Sequence, residues 1–282
     1  MPPLLFGAAT DKGNVRDNNE DSLLSDVRHN LWLVADGMGG HEAGEIASAI
    51  VRDTVSQKVT AGESLSDAVH ASHRAVIRAA EMGEGASGMG STVVALINHD
   101  NTYEICWVGD SRAYLWTPDE ADTGHLEQLT TDHSYVQMLV DSGVLNEEDM
   151  DTHPDKNIIT QCLGARELKD VVVDNLFRQW EEKQWVILCS DGLTDELDNL
   201  EISDILTNAA SPQIAAEQLL EKALANGGRD NVTIQVIEAP KPRHVLPDKI
   251  SKDVRRWLQV PETLIPIIII LLSVLYLIFG TD

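Results

Sequence analysis

At several places along the chain an acid stands where an apolar run has just ended or is about to begin. Asp36 follows LWLVA (31–35), Asp110 follows EICWVG (104–109) and Asp191 follows WVILCS (185–190). Asp230 stands in GGRDNVTI just before an apolar run, and Glu20 and Asp21 sit together in NNEDS. A single carboxylate at a strand end commonly serves as a turn or cap acceptor. Several delivered to one place repel one another unless a cation lies between them. Hard oxygen donors, without paired cysteines and with few suitably spaced histidines, suit Mg²⁺ or Mn²⁺ rather than zinc. The neighbours are small: Gly37, Ser111 and Gly192 follow the three strand-end acids. Gly37 leaves space beside Asp36, and Gly39 and Gly40 permit a strand-to-helix turn.

Such acids need rigid elements behind them. Strand-type runs recur as LLFGAAT (4–10), LWLVAD (31–36), STVVALIN (91–98), YEICWVGD (103–110), RAYLW (112–116), DVVVDNLF (170–177), QWVILCSDG (184–192) and NVTIQVIE (231–238). NHDNT (98–102) reads as a hairpin turn between two of them. Helical patterns cover 42–60, 64–82, 133–142 and 211–226. The last has Ser211 as N-cap, Pro212 at the first helical position and Gly227 as its stop. Hairpin-linked strands with helices in separate blocks predict an α+β domain over 4–238, with antiparallel sheets flanked by helices.

The 282 residues hold 21 basic and 46 acidic side chains, a net charge of −25. A nucleic-acid partner is excluded on that ground, since phosphates would be repelled. Cys106, Cys162 and Cys189 are few and widely spaced, which suits a reducing compartment. MPPLLFGAATDKGNV lacks the basic start and apolar run of a secretory leader. The other end differs. LIPIIIILLSVLYLIFG (264–280) carries no charge and no polar face, and its 17 residues match a short membrane span. Lys241, Arg243, Lys249, Lys252, Arg255 and Arg256 precede it, and positive flanks stay cytoplasmic. The expected plan is therefore a domain, a Pro-containing basic linker over 239–260 and a transmembrane tail anchor over 261–282. This places the domain at the cytoplasmic face of the inner membrane by a single-pass helix. Residues 1–240 alone hold 15 basic and 42 acidic side chains, a net −27.

RDNNEDS, VADGMGGHEAGEIAS, GMGSTVVAL, VGDSRAYL, LTTDHS, HPDKNIITQCLG, LCSDGLTDEL and GGRDNVTIQVIE occur in the order found in the metal-dependent protein phosphatases of type 2C (PPM type). The chain resembles their bacterial form over about 5–238. That resemblance implies a four-layer α-β-β-α sandwich, two antiparallel sheets packed face to face with helices outside both. It also implies a binuclear Mn²⁺ or Mg²⁺ centre at one edge. Asp36 would bridge both ions, with the Gly37 carbonyl on one, and Asp191 and Asp230 would complete the other. Glu20 and Asp21 would hold the second ion's shell, partly through water. Asp110 matches the acid that, with Asp191, can bind a third ion, and Arg16 would grip the substrate phosphate.

The implied reaction is hydrolysis of phosphoserine or phosphothreonine in proteins by a metal-activated water, with no phosphoenzyme. The alkoxide leaving group wants a proton, which His41 or a metal-bound water could supply. Phosphorylated proteins are the implied substrates, and a serine/threonine kinase the implied opponent. Span 132–165 resembles the family's flap, where Gln161 stands in place of an arginine common in bacterial members; His153 there could simply pin the loop. A phosphoprotein-binding scaffold without turnover is the competing reading, against which the intact acids weigh.

Overall fold

The computed structural model describes residues 4–39, 43–119, 123–150, 152–168 and 170–241. In chain order the elements are β1 (Phe6–Asp11), β2 (Ser22–Asp26), β3 (Leu31–Ala35), β4 (Gly37–Met38), α1 (Ala43–Thr60), α2 (Leu65–Met82), β5 (Gly90–Ser91), β6 (Val93–His99) and β7 (Thr102–Val108). There follow β8 (Arg112–Thr117), β9 (His125–Gln128), α3 (Tyr135–Asp141), β10 (Asp174–Gln179), β11 (Trp185–Cys189), α4 (Asp191–Thr194), α5 (Asn199–Asn208), α6 (Pro212–Asn226) and β12 (Val232–Glu238). Two five-stranded sheets run β1-β12-β11-β8-β9 and β10-β7-β6-β3-β2, and β4 pairs with β5. Every pairing is antiparallel.

Side-chain alternation builds the layers. On β3, Leu31, Leu33 and Ala35 pack with α1 and α2, whereas Trp32 and Val34 face Val186, Leu188 and Ile237 of the other sheet. The far face of that second sheet, with Tyr114, Ile187, Ile234 and Val236, packs on Ile202 and Leu206 of α5 and Leu219 of α6. A strand covered on both faces reads as an unbroken apolar run, which is why LWLVA shows no polar alternation. Three apolar layers thus lie between four layers of secondary structure.

The layer between the sheets changes character along its length. On β12, Ile237 belongs to the apolar middle, while Gln235 and Thr233, two and four residues earlier on the same face, are polar and fully buried. Gln235 Nε2 donates to the carbonyls of Leu24 (3.0 Å) and Leu33 (2.6 Å), and its Oε1 accepts from Ser25 Oγ (3.0 Å), so it laces one sheet to the other. The polar end of this layer is where the acids lie.

Helix ends follow the sequence. Ser211 Oγ accepts from Ile214 N, with Pro212 next and Gly227 at the C-cap, and Ser64 caps α2 through Asp67 N. The 98–102 turn is a hairpin, with Asp100 at φ 59° and His99 paired with Thr102. One expected strand is shorter: 170–173 lies outside β10, whose pairing with β7 begins at Asp174–Trp107. β2, β9 and α5 were not expected. Among the described residues no helix is long and apolar enough to cross a membrane. The expected anchor, and the linker beyond Lys241, lie outside the described residues.

Candidate metal centre

Each acid is held by backbone that the core has already placed. Asp36 continues the inward parity of Trp32 and Val34; its N–H donates to Thr92 Oγ1 (3.1 Å) and its carbonyl accepts from Thr92 N (2.8 Å). Asp191 opens α4 behind Ser190, whose N–H donates to the Thr233 carbonyl (3.0 Å). Ser190 Oγ in turn accepts from Thr233 N (3.0 Å) and donates to Asp21 Oδ2 (2.8 Å). Glu20 is clamped by its backbone: its N–H donates to Asn231 Oδ1 (2.7 Å) and its carbonyl accepts from Gly37 N (3.2 Å) and Ser48 Oγ (2.6 Å). Asn231 also donates to the Lys12 and Asn18 carbonyls (both 2.9 Å), so the loop carrying Arg16, Glu20 and Asp21 is tied to the residue after Asp230.

Gly37 is needed for space rather than for an unusual φ. A Cβ there would sit 2.0 Å from the Gly44 carbonyl oxygen and 2.6 Å from that of Glu20. The Gly37 strand is pressed between α1 and the Glu20 loop. Gly39 does take a positive φ, 148°.

Each of these acids is half-buried. Burial, then repulsion from Asp21, Asp191 and Asp110, holds the Asp36 carboxyl well above the usual range. Burial and neighbouring acids likewise push Asp21 up to about 7, Asp110 to about 8 and Asp191 to about 6. Burial raises Glu20 too, against the pull of Arg16. Asp21 Oδ1 and Asp191 Oδ1 are buried without any hydrogen-bond partner. Unpartnered carboxylate oxygens among mutually repelling acids are what a hard divalent cation satisfies, so the donor set fits Mn²⁺ or Mg²⁺. Among the described residues no three such side chains already close on one point as a finished ligand shell. They meet instead as a loose ring within electrostatic reach.

Arg16 lies at the rim, half exposed, with Nη2 2.6 Å from Asp230 Oδ2. Asp110 reaches the ring from the far side, in a loop braced by the segment after β9. Arg112 makes a bidentate pair with Asp132, Nε to both oxygens (3.0 and 2.9 Å) and Nη2 to Oδ2 (2.6 Å). His133 Nδ1 accepts from Gly109 N (3.0 Å), and its Nε2 lies 3.2 Å from Asp174 Oδ2. Beside Asp110 and Asp191 a cavity of about 40 Å³ is roofed by Met150, Lys156 and Asn157 of the flap. Lys156 Nζ is 2.9 Å from Asp195 Oδ1. His153 pins its own loop, accepting from Asp155 N (3.1 Å) against the Tyr135 ring. Gln161 Oε1 accepts from Val172 N (2.9 Å). The fold thus gathers Arg16, Glu20, Asp21, Asp36, Gly37, Asp110, Asp191 and Asp230 at one end. His41 lies outside the described residues. Asn231, Ser190, Thr92 and His133 went unnoticed as supports; the first three adjoin an acid or a strand start, which was the available signal.

Residues 14–226 match the family Protein phosphatase 2C. The chain belongs to that family, in its bacterial serine/threonine phosphatase form. It is 36% identical over 243 residues to the serine/threonine protein phosphatase PstP of Mycobacterium tuberculosis, covering 83% of this chain and 45% of PstP. It therefore spans about half the length of that relative. With the serine/threonine phosphatase Stp of Listeria welshimeri it shares 35% identity over 242 residues, 81% of this chain and 93% of Stp. The crystal structure of M. tuberculosis PstP superposes with a TM-score of 0.74 at 34% identity, covering 84% of this chain and 98% of that one. A second PstP structure, the catalytic domain in complex with two manganese ions, gives 0.72 at 33% identity, covering 84% and 98%.

Proposed function

We propose that this chain removes phosphate from phosphoserine and phosphothreonine in proteins, using Mn²⁺ or Mg²⁺ held in the acidic cleft. The observation that carries the reading is the cleft itself: four mutually repelling aspartates, two of their oxygens buried without partners, beside an exposed arginine. Asp36, the Gly37 carbonyl, Asp191 and Asp230 would hold one pair of ions, with Glu20 and Asp21 completing the shell and Asp110 with Asp191 offering a third place. Bound divalent ions supply a water of lowered pKa and draw charge from the phosphoryl oxygens. The chain's own part is to hold and orient. Arg16, kept at the rim by Asp230, presents a guanidinium fork that matches two phosphate oxygens. His41 is the proposed proton donor to the leaving alkoxide. Residues 261–282 are the proposed anchor, which would hold the domain at the cytoplasmic membrane face, near the kinase it opposes; the uncharged 264–280 and its basic flank support this.

The test is phosphate release from a phosphothreonine peptide by the full chain, with Mn²⁺, with EDTA, and in Asp36→Asn and Asp191→Asn. Turnover that needs the metal and vanishes in both variants is expected. A wild-type chain that binds Mn²⁺ by calorimetry yet releases no phosphate would move the reading to a binding scaffold.

A further inference from the structure

The small cavity over Asp110 and Asp191 does not end the cleft. It shares Arg112, Asp132, Met150 and Thr194 with a larger open groove of about 760 Å³. Glu147 and Met150 of the flap form one wall, and Leu197, Asp198 and Leu200 at the start of α5 form the other. The floor is the chain from Gln128 to Asp132, just after β9, an edge strand of its sheet. The groove is far roomier than a phosphorylated side chain needs, and it adjoins the cavity over the acids.

Its lining has a definite chemistry. Among the described residues that line it, Arg112 is the one cation, and that guanidinium is already spent on Asp132. Glu147 is left facing the groove, and Asp198 commits only Oδ1 to capping α5 through Glu201 N. Leu200, in the first turn of α5, is 77% exposed and offers the groove an apolar contact. Apolar surface flanked by free carboxylates suits a polypeptide that carries a cation and a large apolar side chain. A small phosphoester would leave both walls unused.

We propose that this groove is the docking track for the substrate polypeptide. It would select segments with a lysine or arginine and a large apolar residue flanking the phosphorylated one. This rests on the phosphatase reading above. The continuity of groove and acid cavity argues for this occupant, because a chain whose phosphate sits at the acids can run on along the groove.

The experiment compares kcat/KM for matched phosphothreonine peptides, one flanked by Lys and Leu and one by Glu and Ser, using the full chain with Mn²⁺ in detergent. The wild type is expected to prefer the first by about fivefold or more, the scale of an exposed charge pair plus partial apolar contact. Glu147→Lys should collapse that ratio toward one, and Leu200→Ser should reduce it. Glu221→Lys, on α6 and outside the groove, changes the net charge equally and should keep the wild-type ratio. A wild-type ratio near one, or equal effects of Glu147→Lys and Glu221→Lys, overturns the proposal. Wild-type hydrolysis of p-nitrophenyl phosphate separates the failures. With that activity metal-dependent, only the groove assignment falls; without it, the phosphatase reading falls as well.

Discussion

His133 offers a test of whether the acid cleft is held by the segment after β9. Gly109 precedes Asp110, is buried, and has φ 105°. Its carbonyl accepts from His133 N (2.9 Å), and its N–H donates to His133 Nδ1 (3.0 Å). The ring nitrogen must be an acceptor here, so the imidazole proton lies on Nε2, toward Asp174. His133→Ala leaves a buried N–H without a partner, at a cost of about 1–3 kcal/mol. For a domain of this size that lowers Tm by about 3–10 °C. His133→Asn sets an amide oxygen near the position of Nδ1 and should lose less than about 1 kcal/mol. His133→Gln reaches toward Asp174 but not Gly109, and should behave like the alanine variant. Thermal unfolding measures the order, and the Mn²⁺ concentration for half-maximal turnover reports whether Asp110 has moved. Equal losses for Ala and Asn would refute the argument, because the Nδ1 bond would then not be what His133 contributes.

Gly37→Ala places a Cβ 2.0 Å from the Gly44 carbonyl oxygen, a backbone atom, so the β4–α1 contact must open. A loss of about 1–3 kcal/mol in denaturant melts, together with loss of metal-dependent turnover, is expected. Metal removal should make stability depend on pH. Asp21, Asp110 and Asp191 have folded pKa values raised to about 7, 8 and 6, so the metal-free fold is favoured at low pH and loses stability as pH rises from the ordinary carboxylate range up to those values. Tm in EDTA should therefore fall between about pH 5 and 8, Mn²⁺ should remove the fall, and Asp21→Asn should flatten it; a flat profile in EDTA would contradict the crowding of these acids. Lys156→Met removes a half-exposed ion pair and should shift stability by no more than about 1 kcal/mol. Proteolysis of the flap between α3 and Ile158 should nevertheless quicken, since its base keeps only bonds such as Tyr135 N to the Ile158 carbonyl and Thr160 N to the His133 carbonyl (both 2.7 Å).

The acids were legible because two local rules broke together. LWLVA and WVILC are buried on both faces, and a charge directly after such a run is out of place unless something uses it. Helix α6 was legible from Ser211, Pro212 and Gly227 alone. β2 and β9 were not: SLLSD and HLEQ are short and half-polar, and become strands only because β3 and β8 pair with them. α5 carried a readable signal that went unused, the Asp198–Glu201 capping box. Which acid each support would meet was out of reach for another reason. Asn231 meets Glu20 across 211 positions and Ser190 meets Asp21 across 169, and no local pattern encodes which residues a sandwich brings together.

The same geometry explains why the site sits where it does. Facing strands of a sandwich alternate inward side chains in step, so a change from apolar to polar on one strand must be matched on its neighbours. It is matched here: Ile237 to Thr233 on β12, Leu188 to Ser190 along β11, Val94 to Thr92 along β6 and Val34 to Asp36 along β3. Thr92 Oγ1 accepts from Asp36 N, and Ser190 Oγ accepts from Thr233 N and donates to Asp21 Oδ2, which leaves the carboxylates as the outermost inward residues. The apolar half of the layer fixes the strands, and the hydroxyls hold Asp36 by its backbone and Asp21 by its carboxylate. Repulsion among the acids then stays unrelieved by the protein itself. A cation binding there gains that relief as affinity, because the framework that forces the acids together is anchored in the core rather than in the loops.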